Sequence, residues 1–136
     1  MIGYRDKVPV PLSLCPPVPA AFETYVEGTK LKNVDIETQK LYGVRDELGN
    51  LKQVKPDFTI YGNNQEIVAI GDAKTTMSGT IPFNNQARNL IRLAAAETTS
   101  KKLIYYIPES ISPTITDDFF VYAKSKEVRI QFVVVK

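Results

Sequence analysis

Hydrophobic and polar positions recur along this chain with two different periods, and the changes of period mark its elements. Residues 20–31 carry an apolar stripe of Phe22, Tyr25, Val26 and Thr29 at helical spacing, which predicts a first helix with Glu23 beside the stripe. Residues 38–47 predict a first strand, and Leu48-Gly49-Asn50 turns it into the segment leading to Pro56. Asp57 to Tyr61 and Ile67 to Lys74 are rich in β-branched and aromatic residues, with the turn-forming Gly62-Asn63-Asn64-Gln65 between them, so a β-hairpin is expected. A polar loop follows, from Thr75 to Pro82 with Gly79, and borders any cleft at the end of that hairpin. From about Asn84 to Thr99, Ala87, Leu90, Ile91, Ala94 and Thr98 repeat at helical spacing, and Gln86 falls on the same stripe, facing the sheet. Leu103 to Ile107 reads as a buried strand. Ser112 and Pro113 then have the residue types of an N-cap and first helical position, with Ile115, Phe119 and Tyr122 on the inner face of the helix. Arg129 to Val135 closes the chain as a strand. The predicted order, α-β-β-β-α-β-α-β, makes an α/β chain of the α+β kind, built on a mixed sheet.

The 57–74 hairpin also carries the candidate chemistry. With Asn63-Asn64 as the turn, Asp57 lies opposite Ile70 and diagonal to Asp72, roughly 7–8 Å away at the backbone. With Asn64-Gln65 as the turn, Asp57 and Asp72 are directly opposite. Either way Asp57, Asp72 and Lys74 project from one face, because strand side chains alternate with a period of two, and a slip of one residue separates the acids. Two carboxylates and a backbone carbonyl, that of Ala73, are hard oxygen ligands of the kind Mg²⁺ takes. Such an ion polarises a phosphoryl oxygen and lowers the pKa of bound water, and a neighbouring lysine orients that water or stabilises growing charge. Pro-Asp and Asp-x-Lys are each common at strand ends. The hairpin that aligns them is what gives them joint weight.

Composition narrows the alternatives. The chain has 136 residues, 43% of them hydrophobic, enough for one domain with a sizeable core. Residues 1–19, with Pro9, Pro11, Pro16, Pro17 and Pro19, predict an extended or irregular arm, leaving 20–136 as the domain. No apolar run approaches the roughly 20 residues of a membrane span, and the first residues do not open a signal peptide, so a soluble protein is expected. Cys15 is the only cysteine and there is no histidine. Histidine-zinc sites, Ser-His-Asp triads and histidine-activated thiols are therefore excluded. Net charge is only +2, so nucleic-acid contact must depend on local placement. Lys52, Lys55 and Lys74 flank the acids, Arg88 and Arg92 lie on the following helix, and Lys101-Lys102 precede the next strand. Of these, Lys55, Arg88 and Arg92 are the candidates for tracking a phosphate backbone.

Pro56-Asp57, the hairpin and Asp72-Ala73-Lys74 resemble the signature of the PD-(D/E)xK nucleases, the restriction-endonuclease-like superfamily. The likeness spans roughly residues 22–136 and is specific around 56–74. It implies a Mg²⁺ (or Mn²⁺) nuclease with Asp57, Asp72 and the Ala73 carbonyl on the metal and Lys74 at the reacting water. Ala21-Phe22-Glu23-Thr24-Tyr25-Val26 is similar to that family's first helix and implies Glu23 as a third acid, with Glu27 and Glu37 as rivals. Gln86, in Asn85-Gln86-Ala87-Arg88, matches the family's helix glutamine. The small size and proline-rich start further resemble the C-terminal toxin modules of contact-dependent growth inhibition. That likeness implies DNA or tRNA as target, delivery from a secreted parent protein into a neighbouring cell, and a cognate immunity protein. A phage or mobile-element nuclease, a Holliday-junction resolvase and a non-catalytic binding module on the same fold are the alternatives.

Overall fold

The computed structural model describes residues 19–75 and 78–136. Its elements are α1 (Pro19–Thr29), β1 (Ile36–Thr38), β2 (Tyr42–Arg45), β3 (Leu51–Val54), β4 (Phe58–Tyr61), β5 (Ile67–Ala73), α2 (Asn85–Glu97), β6 (Lys102–Pro108), α3 (Asp117–Ser125) and β7 (Arg129–Val135). Pro19 opens α1, where its missing N–H has no helical partner to lose. The rest of the expected proline-rich arm lies outside the described residues.

One mixed sheet runs β1-β4-β5-β6-β7. β1, β4 and β5 pair antiparallel, β4 and β5 through a short loop, whereas β5, β6 and β7 are parallel. Parallel neighbours need long crossovers, and α2 and α3 supply them. Both crossover helices pack on one face, in a core that includes Ile70, Leu90, Ile91, Leu103, Tyr105 and Phe119. On the other face α1 brings Phe22 and Val26 against Phe58, Tyr106 and Val135. Gly71 in β5 allows that second layer to close: a Cβ there would meet the Tyr106 ring at 3.1 Å and Phe58 at 3.3 Å. The two rings instead meet edge to face across it, centroids 5.7 Å apart.

The N-terminal half departs from its predicted order. Residues 38–47 are two pieces, not one strand, and five strands precede α2. Thr38 ends β1 opposite Phe58, and Gln39 turns the chain out of the sheet with φ of 58°. β2 and β3 then pair only with each other. Their Val44 and Val54 face the α2-side core, so the hairpin is an appendage laid on α2. With it set aside, the remaining elements run α1, β1, β4, β5, α2, β6, α3, β7. The third helix also starts later than Ser112-Pro113 suggests. Thr114 is held extended by Thr114 N–H to the Gly79 carbonyl (2.9 Å) and by Ile81 N–H to its own carbonyl (3.0 Å). The helix therefore begins after Thr116, where Asp117 and Asp118 in the first turn suit the positive end of its dipole. No helix among the described residues is long and apolar enough to cross a membrane.

Glu47, at the tip of the β2–β3 hairpin, fastens it. Its carboxylate lies 2.8 Å from Arg92 Nη2 and 2.8 Å from Lys126 Nζ, and accepts from the Tyr122 hydroxyl at 2.6 Å. The charge-assisted bonds from α2 and the end of α3 hold the Glu47 carboxyl well below its ordinary range. A two-stranded hairpin is marginal without such support. Because Glu47 is half-exposed and screened, Glu47→Ala should cost only about 0.5–1 kcal/mol of global stability. The larger effect is expected locally, as faster amide hydrogen exchange over 42–54 with the β5–β7 amides unchanged.

Candidate active site

The geometry begins with parity along the β4–β5 ladder. The connection is neither of the two-residue turns the sequence suggests. Gly62 and Glu66 close a three-residue loop, Gly62 N–H to the Glu66 carbonyl at 2.9 Å, with Gln65 left-handed at φ 65°. Tyr61 then pairs with Ile67, but Ile60 pairs with Ala69, leaving Val68 as a bulge. Without that extra residue the loop would carry Asp57 opposite Gly71. With it the ladder runs Thr59↔Ile70 and Phe58↔Gly71, and one more step sets Asp57 across from Asp72. That is the second of the two sequence-derived registers, reached by a different turn. Two neighbours hold the bulge open: the Ser100 hydroxyl donates to the Val68 carbonyl, and Thr99 N–H to the Ile67 carbonyl.

Asp57 is the hinge of the site. Its Oδ2 accepts from Ala73 N–H at 2.8 Å, which fixes it to the end of β5. A strand residue's carbonyl leaves on the same side as its N–H, so the Ala73 carbonyl also faces the Asp57 side. Asp72, next in the array, is only 2% exposed. Lys74 Nζ stands 3.1 Å from Asp72 Oδ2, an ion-pair distance but outside hydrogen-bond alignment, so this buried oxygen has no hydrogen-bond donor. Burial first, and then the Asp57 charge, push the Asp72 carboxyl up to about 7 against the pull of Lys74. Lys74 in turn donates to Gln86 Oε1 at 3.1 Å. Gln86 is exposed and off the buried stripe of α2, contrary to the helical pattern. It meets the site through Lys74 instead.

Glu23 joins from α1. A single amide nitrogen, Gln39 Nε2, donates to Glu23 Oε1 at 2.8 Å and to Asp57 Oδ1 at 3.1 Å. Partial burial and the neighbouring Asp57 raise the Glu23 carboxyl to about 7. Neither rival occupies this position. Glu37 is bonded to Tyr61 and Lys40, and Glu27 is exposed on α1. Gln39 is the site residue that sequence reasoning missed. No motif marks it, and its left-handed backbone is the only sign that the chain is bent there to deliver it.

Two further features bear on the site. Tyr105, beside Asp72 in the parallel register, is buried with its hydroxyl unpartnered. Burial, and then Asp72, hold that phenol well above its ordinary range. The candidate phosphate-tracking residues divide. Lys55 is exposed next to Pro56, Arg88 stacks over the Phe83 ring at 4.2 Å, and Arg92 is committed to Glu47 and Asn89.

Among the described residues no three acidic, cysteine or histidine side chains already enclose a common ion position. The array is sequential, Glu23 to Asp57 to Asp72. A donor-free Asp72 oxygen, Asp57 with lone pairs still open on both oxygens, and the Ala73 carbonyl nevertheless form an all-oxygen donor set. Such a set fits a hard cation that keeps several of its waters. The chain matches no family model, no curated protein and no solved structure.

Asp72 and Glu23 both bind their protons more tightly in the folded chain than in the unfolded one, where they titrate at 3.8 and 4.5. The folded state therefore holds more protons between about pH 4 and pH 7, and stability falls as pH rises through that window. Urea unfolding in EDTA should show lower stability at pH 8 than at pH 5, with a shallower decline in Asp72→Asn. Gln39→Ala, which removes a donor to ionised carboxylates, should destabilise more at pH 8 than at pH 5.

Proposed function

We propose that this chain is a metal-dependent nuclease that hydrolyses phosphodiester bonds in DNA or tRNA, on a restriction-endonuclease-like fold. One observation carries the reading. Asp72 is a buried carboxylate with a donor-free oxygen, set beside Asp57 and Lys74 at the end of a shared pair of strands. The order of the main-sheet elements, once the β2–β3 hairpin is set aside, supports it.

Asp57, Asp72 and the Ala73 carbonyl would hold Mg²⁺ or Mn²⁺, with Glu23 next to them through Asp57. When bound, such an ion supplies a Lewis acid and a water of lowered pKa. The residues themselves do the positioning. Ala73 N–H fixes the Asp57 carboxylate against the end of β5. Gln86 restrains the Lys74 ammonium, which orients the attacking water and offsets charge growing on the phosphate. Lys55 and Arg88 extend positive charge from the site along a bound strand.

The narrower reading is a bacterial competition toxin. It would be of the contact-dependent growth inhibition kind, delivered into a target cell and neutralised by an immunity protein. A gene for a small acidic protein directly downstream would support it. A phage or mobile-element nuclease or a junction resolvase shares the chemistry. The Gln39 amide between Glu23 and Asp57 favours a second reading, a nucleic-acid-binding module without catalysis.

The test is incubation of plasmid DNA and total tRNA with the chain and Mg²⁺ or Mn²⁺. Cleavage is expected and should vanish in EDTA. Asp57→Ala and Asp72→Ala should each lower it by roughly a hundredfold or more, with the circular dichroism spectrum retained. Lys74→Ala should lower the rate with less effect on metal affinity. Cleavage that persists in EDTA, or in either acid variant, defeats the mechanism, and retention of nucleic acid without cleavage favours the binding module.

A further inference from the structure

A polar cleft of about 300 Å³ lies between the β2–β3 hairpin and the start of α2, lined by Asp46, Lys52, Gln53, Asn85, Asn89 and Arg92. Asn89 makes it more than a surface dip. It is only 9% exposed and sits among Ala87, Leu90, Ile91, Leu93 and Ala94 on the buried side of α2, where the pattern calls for an apolar residue. Burying an amide is unfavourable unless its hydrogen bonds are made. Its carbonyl accepts from Arg92 Nη1 at 2.7 Å, and Arg92 is itself gripped by Glu47 through Nε and Nη2. The Asn89 Nδ2, by contrast, donates to no described residue. The amide is thus clamped at its oxygen, and its two N–H donors remain available at the wall of the cleft.

We propose that this cleft binds the base of an unpaired nucleotide next to the scissile phosphate, an inference that rests on the nuclease reading. Asn85 and Gln53 each carry a donor and an acceptor on one amide, as base edges do, and Asn89 adds the donors of its Nδ2. Asp46, whose Oδ1 already accepts from the Leu48 and Asn50 N–H groups, supplies an acceptor at its other oxygen, which suits a base amino group and repels a bare phosphate. Lys52 is the cation left for the adjoining phosphate, since Arg92 is held by Glu47. The volume is at the small end of ligand pockets and suits one nucleoside, so the base must be unstacked, as in single strands and loops. Distance along the chain agrees. Asn85 precedes Gln86, the partner of Lys74, and Gln53 lies four residues before Asp57, roughly 14 Å at full extension.

The test is a titration of the ¹⁵N-labelled chain in EDTA with single-stranded trinucleotides of each base, in DNA and RNA arms. The side-chain amide signals of Asn85, Asn89 and Gln53 should shift saturably, with one base preferred by about fivefold or more. Asn89→Ala and Gln53→Ala, the latter at an exposed position, should weaken that binding by about tenfold or more and level the preference. The DNA and RNA arms identify which sugar the cleft accepts. Equal shifts from inorganic phosphate alone, or unchanged binding in folded Gln53→Ala and Asn89→Ala, would overturn the base site. If cleavage occurs but the amides stay silent, the cleft assignment fails and the nuclease reading stands. Base-selective shifts without cleavage in Mg²⁺ give the opposite result.

Discussion

A single unpaired residue in the β4–β5 ladder decides which side of the sheet the acids occupy. Strand side chains alternate with a period of two, so an odd loop and a regular ladder would have sent Asp57 and Asp72 to opposite faces. The bulge at Val68 restores the parity. It is not a free choice of the hairpin, because Thr99 and Ser100, at the junction of α2 and β6, bond the Ile67 and Val68 carbonyls. The same setting sends Gly71 to the α1 face, where two aromatic rings need the space of a missing Cβ. Core packing on one side and acid placement on the other therefore depend on one register. A slip would bring Asp72 against the apolar α1 layer and Gly71 into the α2 core, so the two faces enforce each other.

What could be read from the sequence was what is local. Asp57, Asp72 and Lys74 belong to one hairpin, and both plausible turns put them on one face, so their meeting did not require knowledge of the fold. The start of α2 was equally local: Asn84 caps it through a 2.9 Å bond from Ala87 N–H. Glu23 came from a likeness in residue type, and its arrival beside Asp57 depends on α1 packing across the sheet. The β2–β3 hairpin was missed because its strands are four residues each and bury little beyond Val44 and Val54. The bend before it falls on Gln39, a residue that carries no turn signal. Ser112-Pro113 was a sound local start for a helix. It lost to bonds that tie Thr114 to residues 79–81, which no local pattern announces. The side of α2 on which Gln86 falls was misjudged: Gln86 is exposed beside the buried Ala87 and reaches the site through the Lys74 amine.

The electrostatics of the site bear on the proposed cation. Three carboxylates stand in sequence, and the groups set against them are one ammonium, Lys74, the Gln39 side-chain amide and the Ala73 backbone N–H. Burial first, and the Asp57 charge after it, raise two of the three, Glu23 and Asp72, to about 7. A buried ion pair is rarely the most stable filling for a protein interior, and apolar residues of similar size often do as well or better. Asp72 is nearly sealed, has an oxygen without a donor and adjoins a second acid, so its position weakens the fold in the absence of a compensating charge. Tyr105 beside it adds another unpartnered polar atom to the same wall. Strain of this kind persists where a site must be ready for a ligand that supplies what the protein withholds. A divalent cation between Asp57 and Asp72 would supply it, adding a second charge to Lys74 at the buried oxygen and turning mutual repulsion into shared coordination.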